Sequence, residues 1–259
     1  MVRWRLSELT GQLAGVPVDA VLAAGGSLSI PSVETSTEEA QYTLDNWLTA
    51  QLAVLEANGQ PAWLVLPEDE RAQQPQWQER LPQTVEVTFG RSGVTLAVGQ
   101  AVRLQTTAVI MAVDSVPGST PDKRITSLLR LELVPDASGL MIHWGLVDGR
   151  PGRPTELSAL LQEAQEVAPV PEVLIMPGTG GDDLRRLIRD LSALEHWVDQ
   201  GVRWEFAEAR IGPMGAVGSL FNRYWLQEGY RLGEWQGQAV IVDVDNSPLA
   251  GLSVLDFNA

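Results

Sequence analysis

Asp114-Ser115 follows the apolar run Ala108–Val113 and is an acid–hydroxyl pair placed where α/β folds put their chemistry, at the carboxyl end of a strand. A serine nucleophile needs a base, and no histidine lies nearby in sequence to supply one. The plainer reading is a turn in which Asp114 accepts backbone N–H groups. Gly178-Thr179-Gly180-Gly181 precedes a helix and could offer free N–H groups to a phosphate. Yet Asp182 and Asp183 fill that helix's first turn and no lysine stands in the loop, so it is not a P-loop. His143, beside Trp144 in an apolar strand, and His196, beside Trp197 on a helix, read as packed or surface residues rather than ligands.

Composition narrows the chemistry further. The 259 residues contain no cysteine and two histidines, which removes thiolate nucleophiles, disulfides and cysteine metal sites and leaves little for a histidine cluster. No cofactor is implied. Lys and Arg number 18 against 33 Asp and Glu, a net charge of −15 that repels phosphate backbones and anionic lipid heads. Neither nucleic acid nor membrane is therefore expected as a partner. No run is apolar enough to span a bilayer, and MVRWRLSELT lacks the apolar core of a secretory leader, so the expected location is a bacterial cytoplasm.

The elements that position these residues alternate. Val18–Ala24 reads as a buried strand ending in Gly25-Gly26, and Thr37 caps a helix that ends at Asn58-Gly59. Ala62–Leu66 is an apolar strand stopped by Pro67, and Val85–Phe89 alternates like a strand, followed by a helix from Gly90 to Gln105. After Ala108–Val113 come two further strands, Ser127–Val134 and Gly139–Val147. A turn-rich linker, residues 149–154, then separates an expected first half (residues 1–148) from a second (149–259). The second half restarts the order: a helix from Glu156 to Glu166, the strand Val173–Met176, a helix from Asp182, the strand Arg203–Glu208, a helix from Met214 to Gly229, and a closing hairpin of Gln238–Val244 and Leu249–Leu255. Two similar α/β halves packed together are predicted.

Four segments, in order, carry a family resemblance. Ala209-Arg210-Ile211-Gly212-Pro213-Met214-Gly215-Ala216-Val217-Gly218 resembles the K-S-x-x-G-H-x-x-G-A-x-G segment of β-ketoacyl synthases, and Val173 to Asp182 resembles their strand followed by H-G-T-G-T. Ala108–Ser115 is similar to the strand closing their first half, and Val240–Leu255 to their final strand pair. The resemblance implies a thiolase-like α/β fold, two similar βαβ halves in α-β-α-β-α layers. Carried over position by position, it also implies that the family's chemistry is missing. The stretch Phe89 to Gly93 that would hold the nucleophilic cysteine has Gly90 and, at most, Ser92. The two histidines fall on Pro177 and Pro213, and the lysine falls on Glu208. A Claisen condensation needs a thiolate to carry the acyl group and imidazoles to assist decarboxylation.

The expectation that follows is a non-catalytic ketosynthase-like pseudoenzyme acting as a binding scaffold. By resemblance it forms half of a homo- or heterodimer with another thiolase-like subunit, joined through the sheet of the first half. A chain this short, with these losses, also resembles degenerate ketosynthase-like proteins found beside type VI secretion effectors and their adaptors, which implies an adaptor or chaperone role. The alternative is an acyl-chain or acyl-carrier-binding accessory subunit of a fatty acid or polyketide synthase. A serine hydrolase using Ser115 or Ser92 is the third reading. Of nine tryptophans, Trp77 and Trp235 sit in polar contexts, and one of them is expected to line a partner contact.

Overall fold

The computed structural model describes residues 2–23, 32–148, 154–178, 191–244 and 249–258. Strands β1 (Arg3–Leu13), β2 (Val16–Pro17), β3 (Glu34–Ser36), β4 (Ala62–Leu66), β5 (Val85–Phe89), β6 (Ala108–Pro117) and β7 (Lys123–Asp136) precede β8 (Gly139–Asp148). Among them lie helices α1 (Val18–Ala23), α2 (Thr37–Asn58), α3 (Gln74–Arg80) and α4 (Gly90–Leu104). Then follow α5 (Pro154–Val167), β9 (Val173–Ile175), α6 (Leu191–Asp199), β10 (Arg203–Glu205), α7 (Glu208–Ile211), α8 (Ala216–Arg231), β11 (Ala239–Asp243) and β12 (Leu249–Asn258).

Pairing runs β10-β9-β11-β12-β8-β1-β7-β6-β4-β5, with β2 on β1 and β3 on β7. The two five-stranded leaves of that path share one order. Numbered within its own half, each reads third, second, fourth, fifth, first, with the fifth strand antiparallel to its neighbours. A single rung, Trp4–Leu140, joins them. β8 pairs along its whole length with β12 and so belongs to the second leaf. The halves therefore divide at the β7–β8 turn, ahead of the linker at residues 149–154 that the sequence suggested.

Side-chain alternation explains the layering. In β4, Trp63 and Val65 face one core while Leu64 and Leu66 face another; β6 splits Ile110 and Ala112 from Val109, Met111 and Val113 in the same way. In β9 and β11, Val173, Ile175, Ala239 and Ile241 face inward, while Leu174, Val240 and Val242 face outward. Strands buried on both faces need helices on both sides, hence their unbroken apolar runs. α4 packs against β4, β5 and β6 of one leaf and β8, β11 and β12 of the other, and α8 touches β1, β6, β7 and β11. These two helices form the middle layer. α2 covers the outer face of the first leaf, and α5 covers that of the second. The result is the expected α-β-α-β-α stack.

Two sequence expectations change. Val18–Ala23 is a helix, not a strand: its buried residues are Val18 and Val21, three apart on one face. The cap of α2 is Ser36 rather than Thr37, with Ser36 Oγ accepting from Glu39 N at 3.2 Å and Glu39 Oε2 accepting from Ser36 N at 2.9 Å, a capping box. The expected helix from Asp182 and the turn Asp245 to Pro248 fall largely or wholly outside the described residues.

Candidate functional site

The carboxyl ends of β4, β5, β6 and β9 carry the residues singled out by the sequence. β5 turns into α4 at Gly90, whose φ of 68° is the left-handed conformation a sharp strand-to-helix corner requires. This is the place where the resemblance puts a nucleophile, and here it has no side chain. Ser92, two residues further, is fully buried inside α4. Pro177 is buried after β9, and Pro213 precedes α8 half-buried.

Glu208, first residue of α7, brings these positions together. Its Oε1 accepts from Arg91 Nη1 at 2.5 Å and from Gly178 N at 3.1 Å; its Oε2 accepts from Met214 N at 2.8 Å. Arg91 and Glu208 side chains are 4% and 2% exposed, so the pair is dry. One carboxylate thus binds the residue after Gly90, the residue after Pro177 and the residue after Pro213. A Cβ on Gly218 would lie 2.6 Å from Glu208 Oε1, so α8 closes on the carboxylate only because that position is glycine. The charge reversal read at Glu208 has a structural consequence: it holds an arginine from the first half against two loops of the second.

Asp114 lies beside this pair. Its Oδ2 accepts from Ala216 N at 2.8 Å and its Oδ1 from Ser115 N at 2.8 Å, so a residue of the first half caps α8 of the second. Asp114 accepts backbone N–H groups as the plainer reading expected, but no turn forms there: Asp114 and Ser115 lie inside β6, paired with Ser127 and Thr126 of β7. Gly215 has φ 53° and a Cβ there would run into Asp114 Oδ2, which reserves the position for glycine. Burial is the main cause raising the Asp114 carboxyl to about 7; the Ala216 N–H and the Arg91 cation oppose it, and Glu208 adds to it.

One helical turn beyond Arg91, a second buried polar network crosses the middle layer. Asp243 accepts from Thr95 Oγ1 at 2.5 Å, from Arg223 Nη2 at 2.7 Å and from Ser219 Oγ; Arg223 Nη2 also reaches Ser253 Oγ at 2.8 Å. Sequence reading missed it, because its partners lie up to 148 residues apart.

The remaining candidates lie elsewhere. His143 sits mid-ladder opposite Val254, and His196 Nε2 is 3.0 Å from Pro169 O. Trp77 and Trp235 are 9% and 4% exposed, and intrachain contacts occupy both. The Trp77 N–H goes to Glu70 Oε2 at 3.0 Å with Arg80 over its ring, and Trp235 is held edge-on to Trp225 beneath Arg203. Gly178 N is committed to Glu208, and the rest of that glycine run lies outside the described residues. Among the described residues no group of three metal-ligating side chains converges, and no helix is long and apolar enough to cross a membrane.

Two leaves of identical strand order stacked about two shared helices define a thiolase-like fold. Among solved structures the chain is similar to the oxazolomycin ketosynthase domain OzmH KS8 of Streptomyces albus JA3453, with a TM-score of 0.61 and 15% identity, covering 100% of this chain and 96% of that one. It is also similar to the type II polyketide ketosynthase AntDE, solved with its acyl-carrier protein, at TM-score 0.54 and 10% identity over 99% of both chains. A third likeness is to MvaS in complex with 3-hydroxy-3-methylglutaryl coenzyme A, at TM-score 0.51 and 13% identity over 98% of this chain and 83% of that one. No family model matches the chain, and no curated protein matches it by sequence.

Proposed function

We propose that this thiolase-fold protein performs no thiol-based condensation and acts as a binding scaffold that pairs with a second thiolase-like chain. The observation that carries this reading is the Arg91–Glu208 pair. An uncharged corner at Gly90 faces a buried carboxylate that is already saturated by one guanidinium and two backbone N–H groups. A carboxylate so bound is a poor base.

Pairing is supported by the edge of the first leaf. β5 ends the strand order, and among the described residues no strand covers its far side. Ala62 N donates to Thr84 O, so by parallel alternation Thr84, Glu86 and Thr88 turn toward β4 while Val85 and Val87 turn their backbone groups outward. An edge strand with outward backbone groups left bare invites pairing. The protein is expected to sediment as a dimer, and Val87→Pro, which deletes an outward donor without touching the β4 ladder, is expected to give a folded monomer. A dimer indifferent to Val87→Pro would move the interface elsewhere.

Which chain is the partner is a finer question. The uncovered edge supports pairing with another copy or with a second ketosynthase-like subunit; the type VI effector context rests on resemblance alone. The acyl-carrier reading draws on the ketosynthase solved with its carrier protein. Against it stands the net charge of −15, since carrier proteins are acidic and dock on basic patches.

A further inference from the structure

A cleft of about 410 Å³ opens at the carboxyl ends of β4 and β6, walled by the first turns of α2 and by the segment leading into α3. That volume suits a small molecule, and the position is the one where open α/β sheets bind their ligands. Arg80 and Arg124 line it together with Trp77 and the carboxylates of Asp69, Glu70 and Asp114. Although three carboxylates border the same cleft, neither arginine forms an ion pair with any carboxylate among the described residues. Arg5, Arg71, Arg91, Arg130, Arg203, Arg210, Arg223 and Arg231 all do.

Two of the three acids are otherwise engaged. Glu70 accepts the Trp77 N–H at 3.0 Å, and Asp114 accepts the N–H groups of Ser115 and Ala216. The Arg80 guanidinium lies over the Trp77 ring, 4.8 Å from its centroid, with its N–H groups paired to no acid. Two guanidinium groups on one cleft wall are the groups that recognise a carboxylate or a phosphate.

We propose that this cleft binds a small organic anion, bearing a carboxylate or a phosphate, through Arg80 and Arg124. The cleft adjoins the Arg91–Glu208 pair through Asp114, and its binding of an anion does not depend on whether the chain pairs through β5. Occupancy would reach the second half through Asp114, which borders the cleft and caps α8.

The test is calorimetric titration of the full chain with succinate and with phenyl phosphate, alongside the neutral analogues succinamide and phenol. Arg80→Gln and Arg124→Gln are titrated in parallel after circular dichroism shows each to be folded; Arg80 is exposed and Arg124 half-exposed, so neither holds a core. At least one anion is expected to bind, its neutral analogue not, with affinity falling about tenfold or more in each variant. Which anion binds tells the carboxylate source from the phosphate source. No binding of either up to about 10 mM, or binding unchanged in both variants, would overturn the proposal.

Discussion

Glu208→Ala is expected to lower the unfolding free energy by about 3–5 kcal/mol, because it leaves the Arg91 guanidinium buried without its carboxylate. The N–H groups of Gly178 and Met214 lose their acceptor in the same step, which adds about 1–3 kcal/mol for each that water does not reach. Against a total stability of about 5–15 kcal/mol this is among the most damaging single changes the chain can suffer. Urea unfolding measures it. The double variant Arg91→Met, Glu208→Gln removes both charges and keeps an amide oxygen for one N–H, so it is expected to regain most of the loss. If the single and double variants are equally unstable, the cost lies in the backbone donors and not in the stranded cation.

Asp114 carries the second large expectation, in the pH dependence. Its folded carboxyl titrates at about 7, above the ordinary 3.8, so the folded state holds a proton that the unfolded chain has released. The stability contributed by that proton is complete below about 3.8 and is lost as pH rises through 7. Between pH 5 and pH 8 the wild-type chain should lose about 2–3 kcal/mol through this residue. Asp114→Asn keeps an oxygen for Ala216 N and cannot ionise, so its stability curve should be flatter over that window by the same amount. Parallel curves for the two proteins would show that Asp114 is ionised throughout.

The elements most legible in the sequence were those with a physical stop at each end. Ala62–Leu66 lies between Pro61 and Pro67, and Val85–Phe89 runs into Gly90, where φ turns positive; both strands match the sequence expectation residue for residue. α4 and the closing hairpin were legible for the same reason. β1 was not, because its apolar positions are interrupted by a register shift between Ser7 and Thr10 with Glu8 at φ 52°, which breaks the alternation that marks a strand. Val18–Ala23 was misread because six apolar-rich residues suit either period.

The site was half visible. Gly90, Pro177, Glu208 and Pro213 could be marked from the resemblance, and the structure draws the loops that contain them onto one carboxylate. The partner of that carboxylate could not be marked. Arg91 lies 117 residues away, and nothing local distinguishes it from a surface arginine. The Arg223–Asp243 network was hidden for the same reason, and the burial of Trp77 and Trp235 was not legible because polar sequence neighbours do not report on burial by distant elements.

The most direct test of the central claim is intact-mass analysis of the purified protein after incubation with acyl-CoAs and with acyl- and malonyl-loaded acyl carrier protein, with released carbon dioxide measured in parallel. The account predicts an unchanged mass and no decarboxylation above the protein-free rate, because no thiolate or paired imidazole stands at Gly90, Pro177 or Pro213. An acyl group retained on the chain, on exposed Ser115 for instance, or catalysed release of carbon dioxide, would contradict it.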